Sequence, residues 1–269
     1  MTTAAVQVQK RGDITIVQLN RPDVRNAVDA DTARQLYEAF VAFDADPNAK
    51  IAIFHGANGH FCAGWDLQMG AKTLQQSPTA AQDIVSALDF SPTDAQPIGP
   101  MGPSRLLLSK PVIAAVSGAA VAGGMELALW CDMRVMEEDA YFGVYCRRFG
   151  VPLIDGGTVR LPRLIGMGHA MDLILTGRKV NPTEALAMGL CNRIARTGQA
   201  LEMAIALAEQ LASFPQTTMR ADRISAYAQS DLPLHEALHQ EWQRGKECIG
   251  EGLQGATRFA AGEGKHGKL

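Results

Sequence analysis

Apolar and polar residues alternate from 6 to 19, and Arg11-Gly12-Asp13 interrupts the run with a turn signal, so the pattern predicts a β-hairpin. Beyond Arg21-Pro22-Asp23 the spacing becomes helical. Leu36, Phe40 and Phe43 fall on one face of a helix predicted over 31–44, with Asp29 or Asp31 as its cap. Residues 51–54 are apolar without alternation, as in a strand covered on both faces, and His55-Gly56-Ala57-Asn58-Gly59 reads as a loop. A second such run covers 112–116, followed by small residues over 117–124 and a helix over 125–130. Short strands are expected at 133–135 and 140–143. Helices are expected over 158–175, after Asn181-Pro182, over 200–213 and over 232–251. Alternating strands and helices predict an α/β protein with a parallel sheet and a helical last third. Residues 70–106 are rich in Gln, Ser, Pro, Ala and Gly, and carry one helical signal near 84–88. Such a long, weakly patterned stretch predicts a mobile lid or binding loop.

Chemistry concentrates at two corners. At 111–132 a buried strand, a glycine turn and a helix follow one another. The first turn of a helix has N–H donors without partners, and its dipole favours negative charge. Gly123 and Gly124 lack a Cβ, so a ligand oxygen can approach the main chain, and Glu126 lies in the same turn. A carboxylate in an apolar run is costly to bury without a use. This corner therefore offers an oxyanion-type donor beside an acid/base group. The second corner is Phe61-Cys62-Ala63-Gly64-Trp65-Asp66-Leu67, where Gly64 is expected just after a short strand and leaves another backbone N–H free to point outward. Asp155, ahead of Gly156-Gly157-Thr158, reads as a helix cap on position alone.

Composition narrows the field. The 269 residues are 47% hydrophobic, enough for a sizeable core, and the net charge of −3 gives no reason to expect nucleic acid as a partner. The five cysteines show no metal-ligand spacing and read as reduced core or pocket thiols of a cytoplasmic protein. No metal site is expected. The N-terminal stretch lacks the apolar run of a signal peptide, and no segment reaches the roughly 20 apolar residues of a membrane span. No internal repeat is visible.

Taken in order, these stretches resemble the enoyl-CoA hydratase/isomerase, or crotonase, superfamily. The resemblance runs through Asn20-Arg21-Pro22 with Arg25-Asn26-Ala27-Val28, through the corner at 61–67, and through Ser117-Gly118-Ala119-Ala120-Val121-Ala122-Gly123-Gly124-Met125-Glu126. It continues in Phe142-Gly143, Asp155-Gly156-Gly157-Thr158, Leu175-Thr176-Gly177-Arg178 and Glu251-Gly252-Leu253. It implies a crotonase-like ββα spiral core (1–197), and a C-terminal helical oligomerisation region (198–269) that builds a homotrimer or a hexamer made of two trimers. It implies an acyl-CoA thioester substrate with no further cofactor. The thioester oxygen would sit in an oxyanion hole formed by the amides of Trp65 and Gly123, with substrate contacts at Arg25, Ala27, Ala63, Asp66, Leu67 and Cys146.

One departure matters. Hydratases of this family use two glutamates around one water; Glu126 matches the first, and Cys146 stands where the second is expected. A thiol is mostly protonated at neutral pH and is a poor carboxylate mimic. Asp155 stands where related dienoyl-CoA isomerases and aroyl-CoA dehalogenases place a catalytic aspartate, so Glu126 and Asp155 form a replacement pair in this reading. Arg147 and Arg148 are either surface charges or partners for a substrate carboxylate. Hydration of an enoyl thioester is the first expectation. Double-bond isomerisation, thioester or C–C hydrolysis, and an idle acyl-CoA-binding scaffold are the alternatives.

Overall fold

A computed structural model describes residues 4–263 of the protein. The predicted hairpin is β1 (Val6–Arg11) and β2 (Ile14–Leu19), paired antiparallel. α1 (Ala30–Ala45) starts at Asp29, whose carboxylate accepts the Thr32 N–H and so satisfies a donor that the first helical turn leaves unpaired. β3 (Ile51–Gly56) follows, then α2 (Leu67–Gln76) and α3 (Ala80–Leu88). The stretch expected to be a loop with one helix therefore holds two helices. Its polar composition hid α2, whose ten residues include none that is buried.

β4 (Val112–Val116), β5 (Ala119–Val121) and α4 (Gly123–Trp130) come next, then β6 (Met133–Glu137), β7 (Tyr141–Gly143) and α5 (Gly157–Thr176). β5 lies inside the span expected to be a plain turn; three small residues give too short a run to read as a strand. α5 is broken at Gly166, whose φ of 76° is not helical. β8 (Lys179–Val180), α6 (Pro182–Ala187) and β9 (Arg193–Ala195) complete the sheets, and α7 (Ala200–Ser213) follows.

Six strands form one sheet in the order β1-β2-β3-β4-β6-β9, parallel from β2 onward, and β5-β7-β8 form a second. The chain crosses from the first sheet to the second twice, β4 to β5 and β6 to β7, and each crossing leads into a helix. The 61–67 corner makes a third crossing after β3, although only single bridges, Cys62 with Ala120 and Val28 with Trp65, mark it where a short strand was expected. The repeat is one of backbone path, not of sequence, which is why no periodicity announced it. Edge-to-face rings hold the first turns of this spiral together. Phe40 of α1 packs on Phe54 of β3 at 5.3 Å and on Trp130 of α4 at 4.8 Å.

Contacts divide the chain into Met1–Glu209 and Gln210–Leu269. The division falls within α7, while the expected boundary preceded that helix. The second unit contains α8 (Gln216–Ala228), α9 (Leu234–Gly245) and α10 (Ile249–Ala261), so the helix expected over 232–251 is two helices with a 3₁₀ turn at Lys246–Cys248 between them. Glu251 of α10 accepts the N–H groups of Thr217 and Thr218 at the start of α8, where a negative charge complements the helix dipole. Leu234, Leu238 and Trp242 form an exposed apolar stripe at helical spacing along α9. Among the described residues no helix is long and apolar enough to cross a membrane.

Arg134 of β6 is 2% exposed and donates to Ala128 O and Cys131 O at the end of α4 and to Leu190 O. It thereby fixes the end of the helix whose start carries Glu126. Replacing it by Met leaves those buried carbonyls unpaired, at a cost on the order of 3 kcal/mol. Urea unfolding of Arg134→Met should show a lower midpoint with an unchanged slope; a midpoint equal to wild type would contradict this role.

Candidate active site

The two corners predicted from sequence lie side by side. Cys62 N–H donates to Ala119 O and Val121 N–H donates to Cys62 O, so the 61–65 segment runs parallel to β5. Carrying the Cys62–Ala120 register forward three residues puts Trp65 opposite Gly123. The approach is close: a Cβ built on Gly64 would fall 3.0 Å from the Gly123 nitrogen and 2.9 Å from the Ala122 Cβ. With φ at +94° as well, position 64 accepts glycine and little else. Gly124 is similarly confined, since a Cβ there would collide with Cys62 O.

Both amides are left free by the way their corners are bonded. On the Val28 side of Trp65, Gly64 O accepts Val28 N–H and Asp66 N–H donates to Val28 O. Those two bonds engage the neighbours of Trp65, and its own N–H points the other way. Gly123 is the first residue of α4, where an N–H has no partner within the helix. Neither N–H has an acceptor among the described residues. Ala122 precedes it at φ 53°, ψ −128°, a conformation that costs a residue with a Cβ about 1–3 kcal/mol. That ψ sets the plane of the Ala122–Gly123 peptide, so the strain aims the Gly123 N–H. No sequence signal marked Ala122 as strained.

Glu126 is buried, and its Oε1 accepts the N–H of Asp155 at 3.0 Å and of Gly157 at 2.7 Å. Its Oε2 has no partner among the described residues. Burial, then the nearby Asp155 charge, push the Glu126 pKa up to about 7 against the pull of the two amides. Asp155 is not a helix cap: the residue before α5 is Gly156, and no side chain caps that end. Its Oδ1 instead accepts Met101 N–H at 2.9 Å and the Ser104 hydroxyl. Burial raises the Asp155 pKa, while Ser104, Met101, Arg105 and Arg160 oppose the rise. Arg160 also bridges the Asp155 and Ser104 carbonyls at 2.9 and 2.7 Å. Sequence reading missed Ser104, Met101 and Arg160. A Gly-Pro-Met-Gly-Pro-Ser string inside a weakly patterned stretch was the one available sign of an ordered turn there.

Glu126 and Asp155 face a cavity of about 250 Å³ that is also lined by Ala63, Trp65, Leu67, Gly123 and Cys146. Its remaining wall is apolar or aromatic, with Ile84 and Leu88 from α3, Met101, Tyr145 and Phe149 among the contributors. Among the described residues no lysine or arginine lines it. Arg147 donates to Ile174 O, Arg148 stacks on the Tyr145 ring at 4.0 Å, and neither is among the residues lining the cavity. Cys146 is wall material: burial, then the Glu126 charge, push its thiol pKa up and keep it protonated. Three expected substrate contacts lie outside the lining. Asp66 caps α2 through Gln68 and Met69 and pairs with Arg21 at 3.0 Å. Arg25 O accepts Ala63 N–H, and Ala27 O accepts from Arg21, so both brace the corner that holds Trp65. Among the described residues no group of three His, Cys, Asp or Glu side chains is placed to hold a metal ion.

A family model described as enoyl-CoA hydratase/isomerase matches residues 9–98 and 101–261. Enoyl-CoA hydratase EchA19 of Mycobacterium tuberculosis is 36% identical over 245 residues, covering 88% of this chain and 86% of that protein. A carnitinyl-CoA dehydratase of Proteus mirabilis is 34% identical over 234 residues, covering 86% of this chain and 84% of that protein. The crystal structure of enoyl-CoA hydratase EchA1 from Mycobacterium marinum superposes with a TM-score of 0.83 at 32% identity, covering 96% of each chain.

The raised Glu126 pKa has a consequence for stability. The folded state holds this proton more tightly than the unfolded state does. The stabilising contribution is full below the unfolded value near 4.5 and is lost as pH rises through about 7. The full span is on the order of 3 kcal/mol. Glu126→Gln removes the titration. Its urea midpoint should gain on wild type between pH 5 and pH 8; parallel midpoints across that range would show that Glu126 is not perturbed.

Proposed function

The chain belongs to the enoyl-CoA hydratase/isomerase family, and on that footing we propose that it catalyses the reversible addition of water to a 2-enoyl thioester of coenzyme A. The observation that carries this reading is a buried carboxyl, Glu126, beside a second one, Asp155, in an apolar cavity onto which two free amides open. The thioester oxygen is assigned to the N–H groups of Trp65 and Gly123. As the oxygen of water bonds to C3, the π electrons move toward the thioester and its oxygen gains the charge. Each such donor contributes about 3 kcal/mol to the barrier reduction, because it is in place before the charge appears.

The two carboxyls divide the proton work. Asp155, with Ser104, the Met101 amide, Arg105 and Arg160 all favouring its ionised form, takes the proton that water loses. Glu126, which still carries a proton near neutral pH, delivers one to C2. Elimination of water runs the same steps backwards. The curated relatives named as a hydratase and a dehydratase support this direction of chemistry. The lining without cations suits a neutral, apolar acyl group with no distal carboxylate. No cofactor beyond the substrate's own coenzyme A enters the scheme. The apolar stripe on α9 supports self-association, and the form expected from the family resemblance is a trimer, or two trimers in a hexamer. The five unpaired cysteines suit the reducing cytoplasm.

Crotonyl-, 3-enoyl-, dienoyl- and aroyl-CoA thioesters tested with wild type, Glu126→Gln and Asp155→Asn decide the matter. Hydration of the 2-enoyl ester should dominate, and each variant should lose about 10²–10⁴ in kcat. In wild type kcat/KM should fall above about pH 7 as Glu126 loses its proton, and this limb should be missing in Glu126→Gln. Full activity of Glu126→Gln would remove the assigned proton donor. Faster conversion of the 3-enoyl ester would favour isomerisation, and tight binding of every ester without turnover would favour a scaffold.

A further inference from the structure

The acid/base pair and the wall of the acyl cavity are joined by a residue that touches neither the cavity nor the carboxyls. Arg105 ends the 3₁₀ turn Pro103–Arg105. Its Nη1 donates to Leu88 O at 2.6 Å and to Ile98 O at 3.1 Å, and its guanidinium lies 4.0 Å over the Phe90 ring. Leu88 is the last residue of α3 and lines the cavity, as does Ile84 one turn earlier. Residues 89–98 between them contain no helix or strand and are largely exposed. The Tyr37 hydroxyl, which donates to Gln96 O, also holds this stretch from outside.

The opposite side of the same turn serves Asp155. Ser104, adjacent to Arg105, donates its hydroxyl to Asp155 Oδ1, Met101 N–H donates to the same oxygen, and Arg160 ties the Ser104 carbonyl to that of Asp155. One arginine thus spans two arrangements that would otherwise be linked by ten residues of irregular chain.

We propose that Arg105 is a positioning residue that locks the α3 wall of the acyl cavity to the turn aiming Ser104 and Met101 at Asp155. An acyl group packed against Ile84 and Leu88 then also fixes the carboxyl that handles the proton. This inference rests on the hydration reading for its kinetic part and on the contacts alone for its structural part. Arginine suits the task because one terminal nitrogen bonds both carbonyls while the planar guanidinium stacks on the Phe90 ring; lysine keeps the charge but has a shorter reach and no planar face to stack.

The test compares Arg105→Met, Arg105→Lys and Phe90→Ala with wild type on crotonyl-CoA, whose acyl group is short, and on 2-decenoyl-CoA, whose longer acyl group is the one expected to meet α3. Arg105→Met should lower kcat at least tenfold on both esters, as expected when a reacting group is displaced by a fraction of an ångström. It should raise KM more for the decenoyl ester than for the crotonyl ester. Arg105→Lys should not restore either value, and Phe90→Ala, a milder change, should move both in the same direction by less. Amide hydrogen exchange over 80–98 should quicken in Arg105→Met. Unchanged exchange would overturn the proposal whatever the enzyme turns over, and so would kcat and KM ratios equal to wild type or full rescue by lysine. Glu126→Gln in the same assay keeps the two ideas apart, since full activity there sinks the hydration reading while exchange still judges the tether.

Discussion

Two peptide N–H groups without partners among the described residues, held against one another across a gap too narrow for a Cβ, are the constraint on which the rest depends. A donor left without a protein acceptor is costly unless something else meets it, and here two of them open onto the cavity. They persist because the surrounding bonds are already committed. The neighbours of Trp65 bind Val28, Ala122 N–H donates to Gly143 O, and β5 lies parallel to the 61–65 segment. The strain at Ala122 is absorbed by a helix whose other end Arg134 secures. An arrangement of this kind stabilises charge on an incoming oxygen without reorganising, which is what enolate chemistry at a thioester asks of a protein.

The same economy governs the carboxyls. Burial makes ionisation of Glu126 expensive, and the structure compensates only partly, with two amides on one oxygen, none on the other, and the charge of Arg160, which is shared with Asp155. Asp155 receives more: a hydroxyl, an amide and two nearby guanidinium groups. Like charges in one pocket separate their titrations, and on the proposed reading the unequal support leaves the proton on Glu126. Cys146 fits this picture as a neutral wall. On the proposed reading the carboxylate expected at its position is supplied by Asp155, from the segment that leads into α5.

Much of this was legible in the chain. The hairpin, α1, β3, β4, α4 and α7 follow from local periodicity, because each carries its apolar pattern within a few residues. The glycine corners and Glu126 stood out because small residues and a lone carboxylate are unusual in an apolar run. What stayed hidden depends on distant partners. β5 is three small residues that become a strand only against β7 and Cys62. Asp155 looks like a helix cap until Ser104 and Met101, some fifty residues earlier, take its carboxylate. α2 has no buried face to read. Asp66, Arg25 and Ala27 were grouped with the ligand contacts through a motif, and the structure places them outside the cavity lining, at the base of a corner that touches it.

The direct measurement is the carbonyl stretch of a ¹³C=O-labelled enoyl thioester bound to the protein, recorded by isotope-edited infrared spectroscopy. If the amides of Trp65 and Gly123 both donate to that oxygen, the band shifts to lower frequency than in water, and the shift persists in Glu126→Gln, where the amides are intact. A bound thioester whose carbonyl absorbs at its solution frequency would contradict the account at its root.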